Sequence, residues 1–549
     1  MSANPMGVVG VAALAVCAAT FLFWRSKSKP NRRKSQKVIS VYTEAEQAKI
    51  AAYEEKFSRF LSPLPPEDDI SFTANHEAMK KVLTGQYIDI SHIIEQPMEV
   101  FYAHRAIVKY DNVCALSIRC TVQYNLYCGS VMMLGSDEQR DWLRETCERG
   151  ETGCFALTEI GAGVLSGLVL EATCDWNGKG FTLNTPTDAA QKIWISQGMT
   201  ARWAVVMARL RFPSSSADGE MEDKGAHAFL VDLRTPGFDI SSMAPKSQFN
   251  SLDNARIAAK NVKLPRSSLL SRYCSVDTNG NYSAVGGRFS FLRVVSRLFT
   301  GRLCIADTAL RVEEQTRLQC AEYLSQRRVY VDKFKNTVPL LELPVFSDLA
   351  ADMAGVSRVL QKFVYLTEWD FSRHATTTPE KDMSLQLVDD ICICKMEGVE
   401  FTLHSHDKWR CEVGSFSVMA EAPFGHLKDI ILCMRFAEGD TRVLQMKTAR
   451  DKITRMSLLT WPLRYARHYL SDDKLAMMEE KLALKLAWNM MGVSKARQMN
   501  VWNANYATVF PLARAHALRR IHDRISQVAD SKDDCEAFVR YALRQLSSM

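Results

Sequence analysis

Paired cysteines at metal-binding spacing are missing from this sequence. Fifteen cysteines are scattered through 549 residues without a C-x-x-C motif, and the nearest two, Cys392 and Cys394, are too close to chelate well. The pattern argues against a zinc site and a disulfide framework and fits a reducing compartment. Surplus charge outside one segment is missing too. Seven basic residues (Arg25, Lys27, Lys29, Arg32, Arg33, Lys34, Lys37), with no acid before Glu44, account for the whole formal charge of +7. The remainder is neutral, which excludes nucleic acid as a partner. Internal repeats and low-complexity tracts are also absent. Only one long apolar run exists, Gly7–Trp24 (GVVGVAALAVCAATFLFW). Its length is near the minimum for crossing a bilayer, and its positive charges follow it, unlike those of a cleavable secretory signal. The positive-inside bias keeps that flank cytosolic and predicts a single N-terminal membrane anchor over residues 1–38. A targeting peptide that is later removed is the other reading.

What is present is an ordinary globular composition, 47% hydrophobic and 24% charged, long enough for two or three domains. Glycines cluster at Gly153, Gly161, Gly163, Gly167, Gly178 and Gly180, between short segments of period-2 alternation. That pattern predicts a β domain, with later strands at Ala226–Leu233 and Arg256–Pro265. A Gly-rich β insert suits a planar cofactor held against exposed backbone N–H groups. Both flanks read as helices. Val41–Phe60 is one, ended by the Pro-rich turn at Ser62–Asp69, and Ser136, Asp137 and Glu138 open another as cap and first-turn acids. From Arg302 to Val338 there is no Gly or Pro, which predicts one long helix with Leu303, Ala306, Leu310, Leu318, Ala321 and Leu324 facing the core. Helices are expected at 345–378, 380–413, 427–460 and onward, with a stripe of Leu518, Ile521, Ile525 and Val528. The expected architecture is mainly α with a central β domain. An N-terminal helical domain (39–152) precedes a middle β-barrel (153–272), a helical bundle (273–460) and a short C-terminal helical extension (461–549).

Six segments in order carry a resemblance: PMEVFYAHR, VQYNLYCGSVMMLGS, GCFALTE (running on into TEIGAG), NTPTDAAQKIWIS, LDNARIAAKNVKLPRSSLLSRY and RFAEGDTRVLQMKTAR. Together they resemble the acyl-CoA oxidases, a branch of the acyl-CoA dehydrogenase fold, over roughly Pro97 to Arg450. The resemblance implies an FAD-dependent enzyme that desaturates a fatty acyl-CoA to the trans-2-enoyl-CoA, with molecular oxygen as acceptor and hydrogen peroxide as product. It makes the helical bundle flavin-binding. Glu438 matches the base that removes the α proton, for which a carboxylate in an apolar slot suits the chemistry. In the family the base's backbone N–H helps to hold the thioester oxygen, and Gly439 lets the backbone approach it. Thr158 matches the threonine at the flavin pyrimidine edge, and Trp194 the aromatic packed along the ring. Arg327 matches the arginine that reaches the FAD pyrophosphate of a neighbouring subunit, which implies a homodimer. Arg302, twenty-five residues earlier, matches the arginine beside the catalytic carboxylate.

The sequence also departs from the family. Of the expected G-G-x-G-Y run only Gly414 survives, in GSFSV, and Gln248, Ser251 and Ala255 replace three further glycines. The TEIGAG turn is one residue short. Ser196 resembles the dehydrogenases, whose hydroxyl bonds flavin N5. Two alternatives therefore stand beside the oxidase: a dehydrogenase passing electrons to a flavoprotein, and a catalytically silent acyl-CoA-binding membrane protein. Oxidases of this kind are usually peroxisomal. The chain's Ser547-Ser548-Met549 is a faint relative of S-K-L, and outer mitochondrial or endoplasmic reticulum membranes are the other expectations.

Overall fold

The computed structural model describes residues 41–60, 71–110, 115–163, 165, 169–214, 220–285, 297–379, 381–419, 422, 424–528 and 531–549. The elements below lie in one compact unit, Glu44–Met549. The expected anchor at Gly7–Trp24 and the turn at Ser62–Asp69 lie outside the described residues. Among the described residues no helix is long and apolar enough to cross a membrane.

The N-terminal part is helical: α1 (Glu44–Phe60), α2 (Phe72–Thr84), α3 (His92–Glu95), α4 (Pro97–Tyr110), α5 (Ala115–Cys120), α6 (Gly129–Leu134) and α7 (Asp137–Glu148). Acids in the first turn of α1 and Arg59 in its last complement the helix dipole. Between α5 and α6 the helix widens into a π-helical segment, Thr121–Cys128, which buries Gln123 and Asn125. Ser136 caps α7, as its sequence predicts. Its hydroxyl accepts from Gln139 N while Gln139 Oε1 accepts from Ser136 N at 2.9 Å.

The β domain contains β1 (Gly153–Ala156), β2 (Thr173–Trp176), β3 (Gly180–Asn184), β4 (Lys192–Ser196), β5 (Trp203–Pro213), β6 (Met221–Asp232), β7 (Phe238–Ser242), β8 (Asn254–Ala259) and β9 (Val262–Pro265). One sheet runs β1-β5-β2-β3-β9 with β6 also on β5; a second runs β4-β8-β7. The expected barrel does not close. Strand β4 pairs with β8 and not with a strand of the larger sheet, with a register shift between Lys192 and Ile195 and Trp194 at φ 60°, and an isolated bridge joins Lys192 to Glu159. The result is a half-barrel. Arg256–Pro265, expected as one strand, is two strands in different sheets, turned at Asn261 with φ 53°.

A ribbon, β10 (Cys274–Val276) and β11 (Tyr282–Ala284), precedes the long helix α8 (Arg297–Gln326). This helix buries Leu303, Ala306, Leu310 and Leu324, as expected, but leaves Leu318 exposed. It does not reach Val338. Arg328–Tyr330 (β12) and Thr337–Pro339 (β13) form a hairpin instead. Its loop is closed by Asp332 Oδ1, which accepts from Phe334 N at 2.8 Å and Asn336 N at 3.2 Å. The bundle continues with α9 (Pro344–Thr377), α10 (Leu385–Glu412), α11 (Phe424–Phe436) and α12 (Thr441–Arg455). The helix expected over 427–460 is thus broken between α11 and α12, where Gly439 adopts φ 100° and Asp440 caps α12. Five helices follow: α13 (Trp461–Leu470), α14 (Lys474–Met490), α15 (Lys495–Ala504), α16 (Tyr506–Ile525) and α17 (Lys532–Ser547). Leu518, Ile521 and Ile525 are buried; Val528, past the end of α16, is exposed.

Two buried ion networks join the parts. Arg105 donates to Asp307 Oδ1 at 2.8 Å and to Glu368 Oε2 at 3.1 Å, tying α4 to α8 and α9. Arg119 of α5 pairs with Asp253, just before β8.

Candidate active site

The break between α11 and α12 carries Glu438. Its backbone lies in the left-handed region, φ 56°, where a non-glycine residue is strained. The residue as a whole is half-buried, but its carboxyl end is turned inward: Oε2 is enclosed and accepts no hydrogen bond among the described residues. Burial raises its pKa to about 7; Arg302, Lys395 and Arg297 oppose the rise. The carboxyl group rests on α8 at Gly301. A Cβ there would lie 2.4 Å from Oε1, so any larger residue would push the carboxyl group out of this position.

Two cations hold the turn by its backbone. Arg302 Nε donates to Glu438 O at 2.9 Å. Lys395 Nζ, fully buried, donates to Arg435 O at 2.6 Å, Gly439 O at 2.7 Å and Thr441 Oγ1 at 3.1 Å. Burial, then the nearby Arg302, lowers the Lys395 pKa to about 7. A third cation, Arg297, is buried at the start of α8 and bonds Asn125 Oδ1 at 2.7 Å; burial lowers its pKa to about 10. Gly439 lies against Arg302, with 3.5 Å between a built Cβ and Nη2.

On the β domain, Thr158 is exposed and its carbonyl accepts from Ile193 N at 2.9 Å, which sets it beside β4. Trp194 is 56% exposed. An indole left this open on a strand at positive φ is a face that a planar ring would cover. The residue after Thr158, Glu159, is a fully buried carboxylate. It pairs with the buried Lys192 at 2.8 Å and accepts from Ala172 N, fixing the loop from below. Ser196 Oγ accepts from Asn254 Nδ2 at 3.1 Å; Asn254 Oδ1 accepts from Lys246 Nζ at 3.0 Å. The adjoining Ser247 donates to Asp429 of α11, the helix that ends at the Glu438 turn.

The third group stands at the end of α8. Gly414 has φ 64° and open space where a side chain would project. Phe416, at the variable position of that run, stacks on Tyr323 with ring centroids 4.4 Å apart. It therefore packs against α8. Arg327 lies over the same tyrosine and donates to its hydroxyl at 2.9 Å. It is exposed and has no acidic partner within ion-pair distance among the described residues.

The structure thus brings Glu438, Gly439 and Arg302 into contact, places Thr158 beside the strand of Trp194 and Ser196, and sets Arg327 and Phe416, two residues after Gly414, on Tyr323. Arg302, expected beside the carboxylate, donates to the Glu438 carbonyl and its charge also acts on the carboxyl group. Gly301, Lys395, Arg297 and Asn125 were not anticipated. Lys395 could have been noticed, because it is the one charge in the run ICICKM. The site's chemistry is a buried base with a bare acceptor oxygen, together with an exposed aromatic ledge. Those features fit a flavin and a substrate that yields a proton.

Residues 154–262 match the acyl-CoA dehydrogenase middle domain. Acyl-coenzyme A oxidase 2, peroxisomal, of Arabidopsis thaliana is 28% identical over 383 residues, 66% of this chain and 54% of that protein. The acyl-coenzyme A oxidase-like protein of Mus musculus is 28% identical over 361 residues, 62% of this chain and 55% of that one. The chain spans about half the length of the curated relatives it matches. Among solved structures, acyl-CoA oxidase 1 of Yarrowia lipolytica aligns with TM-score 0.74 at 18% identity, covering 92% of this chain and 80% of that one. Acyl-CoA oxidase-2 of Caenorhabditis elegans, solved with FAD, ascaroside-CoA and ATP, aligns with TM-score 0.73, 18% identity and the same coverage. At that identity the structural likeness establishes the fold.

Proposed function

We propose, on the premise that the chain belongs to the acyl-CoA oxidase family with the acyl-CoA dehydrogenase fold, that it desaturates a fatty acyl-CoA to the trans-2-enoyl-CoA in fatty acid β-oxidation. FAD is the cofactor, and O2 is the electron acceptor that leaves as hydrogen peroxide. The observation that carries this reading is the enclosed carboxyl group of Glu438, with an unpartnered oxygen and a pKa near 7. When bound, FAD supplies the acceptor for the β hydrogen and its electron pair. Glu438 takes the α proton on its bare oxygen. Arg302 and Lys395 keep the turn in place, so that the base does not have to be positioned during the reaction. Thr158, Trp194, Ser196 and Gly414 would hold the flavin, and Arg327 the pyrophosphate of the FAD in the other subunit of a homodimer. Arg302 and Gly439 would border the thioester. The division at 39–152, 153–272, 273–460 and 461–549 belongs to the same proposal.

One observation favours the dehydrogenase reading. The Ser196 hydroxyl accepts from Asn254, which leaves its own proton free for flavin N5. Oxygen uptake on adding acyl-CoA separates the two; a protein that is yellow but takes up no oxygen is a dehydrogenase. A colourless preparation means a silent binding protein. The decisive variant is Glu438→Gln. It should retain FAD and fail to bleach it under anaerobic acyl-CoA, and bleaching at the parent rate would refute the base. The proposed location is the peroxisome, with Gly7–Trp24 as anchor. Imaging of the full chain beside a variant lacking 1–38 tests both.

A further inference from the structure

The segment from Leu458 to Tyr506 is unusually open. Helix α13 has no buried residue at all. Its inner face rests on α14: Trp461 Nε1 donates to Glu480 O at 3.0 Å, Arg464 pairs with Glu480 at 3.3 Å, and the Trp461 and Tyr465 rings stack. Residues 461, 464, 465 and 468 lie along one side of the helix, so 463, 466 and 470 lie along the opposite side. That opposite side is apolar and uncovered: Leu463 is 74% exposed and Leu470 85%, and Leu459, in the turn just before the helix, is 93% exposed. Trp488 near the end of α14, and Met491 and Met499 beyond it, are also exposed. The charges around them are of one sign. Between Arg455 and Tyr506 seven cations are exposed, among them Arg467, Lys474, Lys485 and Arg497, against one exposed acid, Asp472. Glu479 and Glu480 are buried.

We infer that the α13–α14 hairpin is a docking face for an anionic lipid surface. The leucine stripe enters the acyl boundary, the indole of Trp488 sits among the headgroups, and the cations meet lipid phosphates. A second copy of the chain fits this face poorly, because it would set seven cations against seven with one acid on each side. The sequence has another apolar segment followed by bases, Gly7–Lys37, of the same chemistry.

The test is co-sedimentation of the full chain with vesicles of phosphatidylcholine alone or containing about 30 mol% phosphatidylserine. The parent should pellet with the anionic vesicles. Leu463→Asp with Leu470→Asp should weaken this at least about tenfold, and Arg467→Glu with Lys474→Glu should erase the preference for phosphatidylserine. Both changes lie on exposed positions, so the melting temperature should not move. Three results would overturn the inference. Double variants that pellet like the parent place the binding elsewhere, the N-terminal segment included. A parent that ignores both vesicles but retains an acidic protein points to a protein partner. A leucine variant that turns a dimer into a monomer in light scattering assigns the face to a second copy.

Discussion

Glu438 does its proposed work only when deprotonated, so turnover should climb with pH through about 7. Lys395 lies near enough to hold that midpoint down. Lys395→Met removes the cation and the bonds to Arg435 O and Gly439 O, so the midpoint of kcat against pH should move upward and kcat should fall about tenfold or more. A structural role alone would lower kcat without moving the midpoint. The same burial acts on stability. Because the Glu438 pKa is raised in the folded state, its contribution is complete below its ordinary value of 4.5 and is lost as pH rises through about 7. Glu438 itself was legible in E-G-D within a matched order. Gly301 was not, because a helical glycine that admits a carboxylate depends on a contact more than a hundred and thirty residues away; Lys395 stood out only as a lone charge in an apolar run, since its backbone-oxygen partners lie on a turn some forty residues on.

Among the elements, α16 is fastened by His516. Its ring bonds Glu479 of α14 at 2.8 Å through Nδ1 and Asp389 of α10 at 2.9 Å through Nε2. Those bonds outweigh burial and lift its pKa to about 9. The raised value means that the stabilisation is full below the ordinary histidine pKa of 6.5 and disappears as pH climbs through about 9. His516→Leu leaves two buried carboxylates facing an apolar side chain and should cost about 3 kcal/mol, read from urea unfolding at pH 7. Helix and strand identities were largely legible at this scale, but several boundaries were not. Helix α8 stops without Gly or Pro, through Val329 and Tyr330 in a hairpin and Asp332 in its loop. The left-handed Asn261 divides what reads as one strand.

Over the whole molecule, arginines fasten the C-terminal extension to the bundle. Arg520 and Arg524 meet Asp390, Arg540 meets Asp352, and Arg358 answers with Asp534. The order helical, β, helical was readable from glycine spacing, whereas the open edge of the half-barrel required the bulge in β4. For the assembly, light scattering should return a homodimer. Arg327→Ala should release FAD about tenfold faster by fluorescence, while protein stripped of FAD melts as the parent does, since the side chain is exposed.

A left-handed backbone at Glu438 has an evolutionary corollary. Selection for folding alone would install glycine there, and Glu438→Gly should make the molecule sturdier by about 1 kcal/mol in the same urea titration while leaving it inert. A lineage released from catalysis would be free to drift toward that exchange. On the proposed reading, the strained backbone is what holding the base at this turn requires.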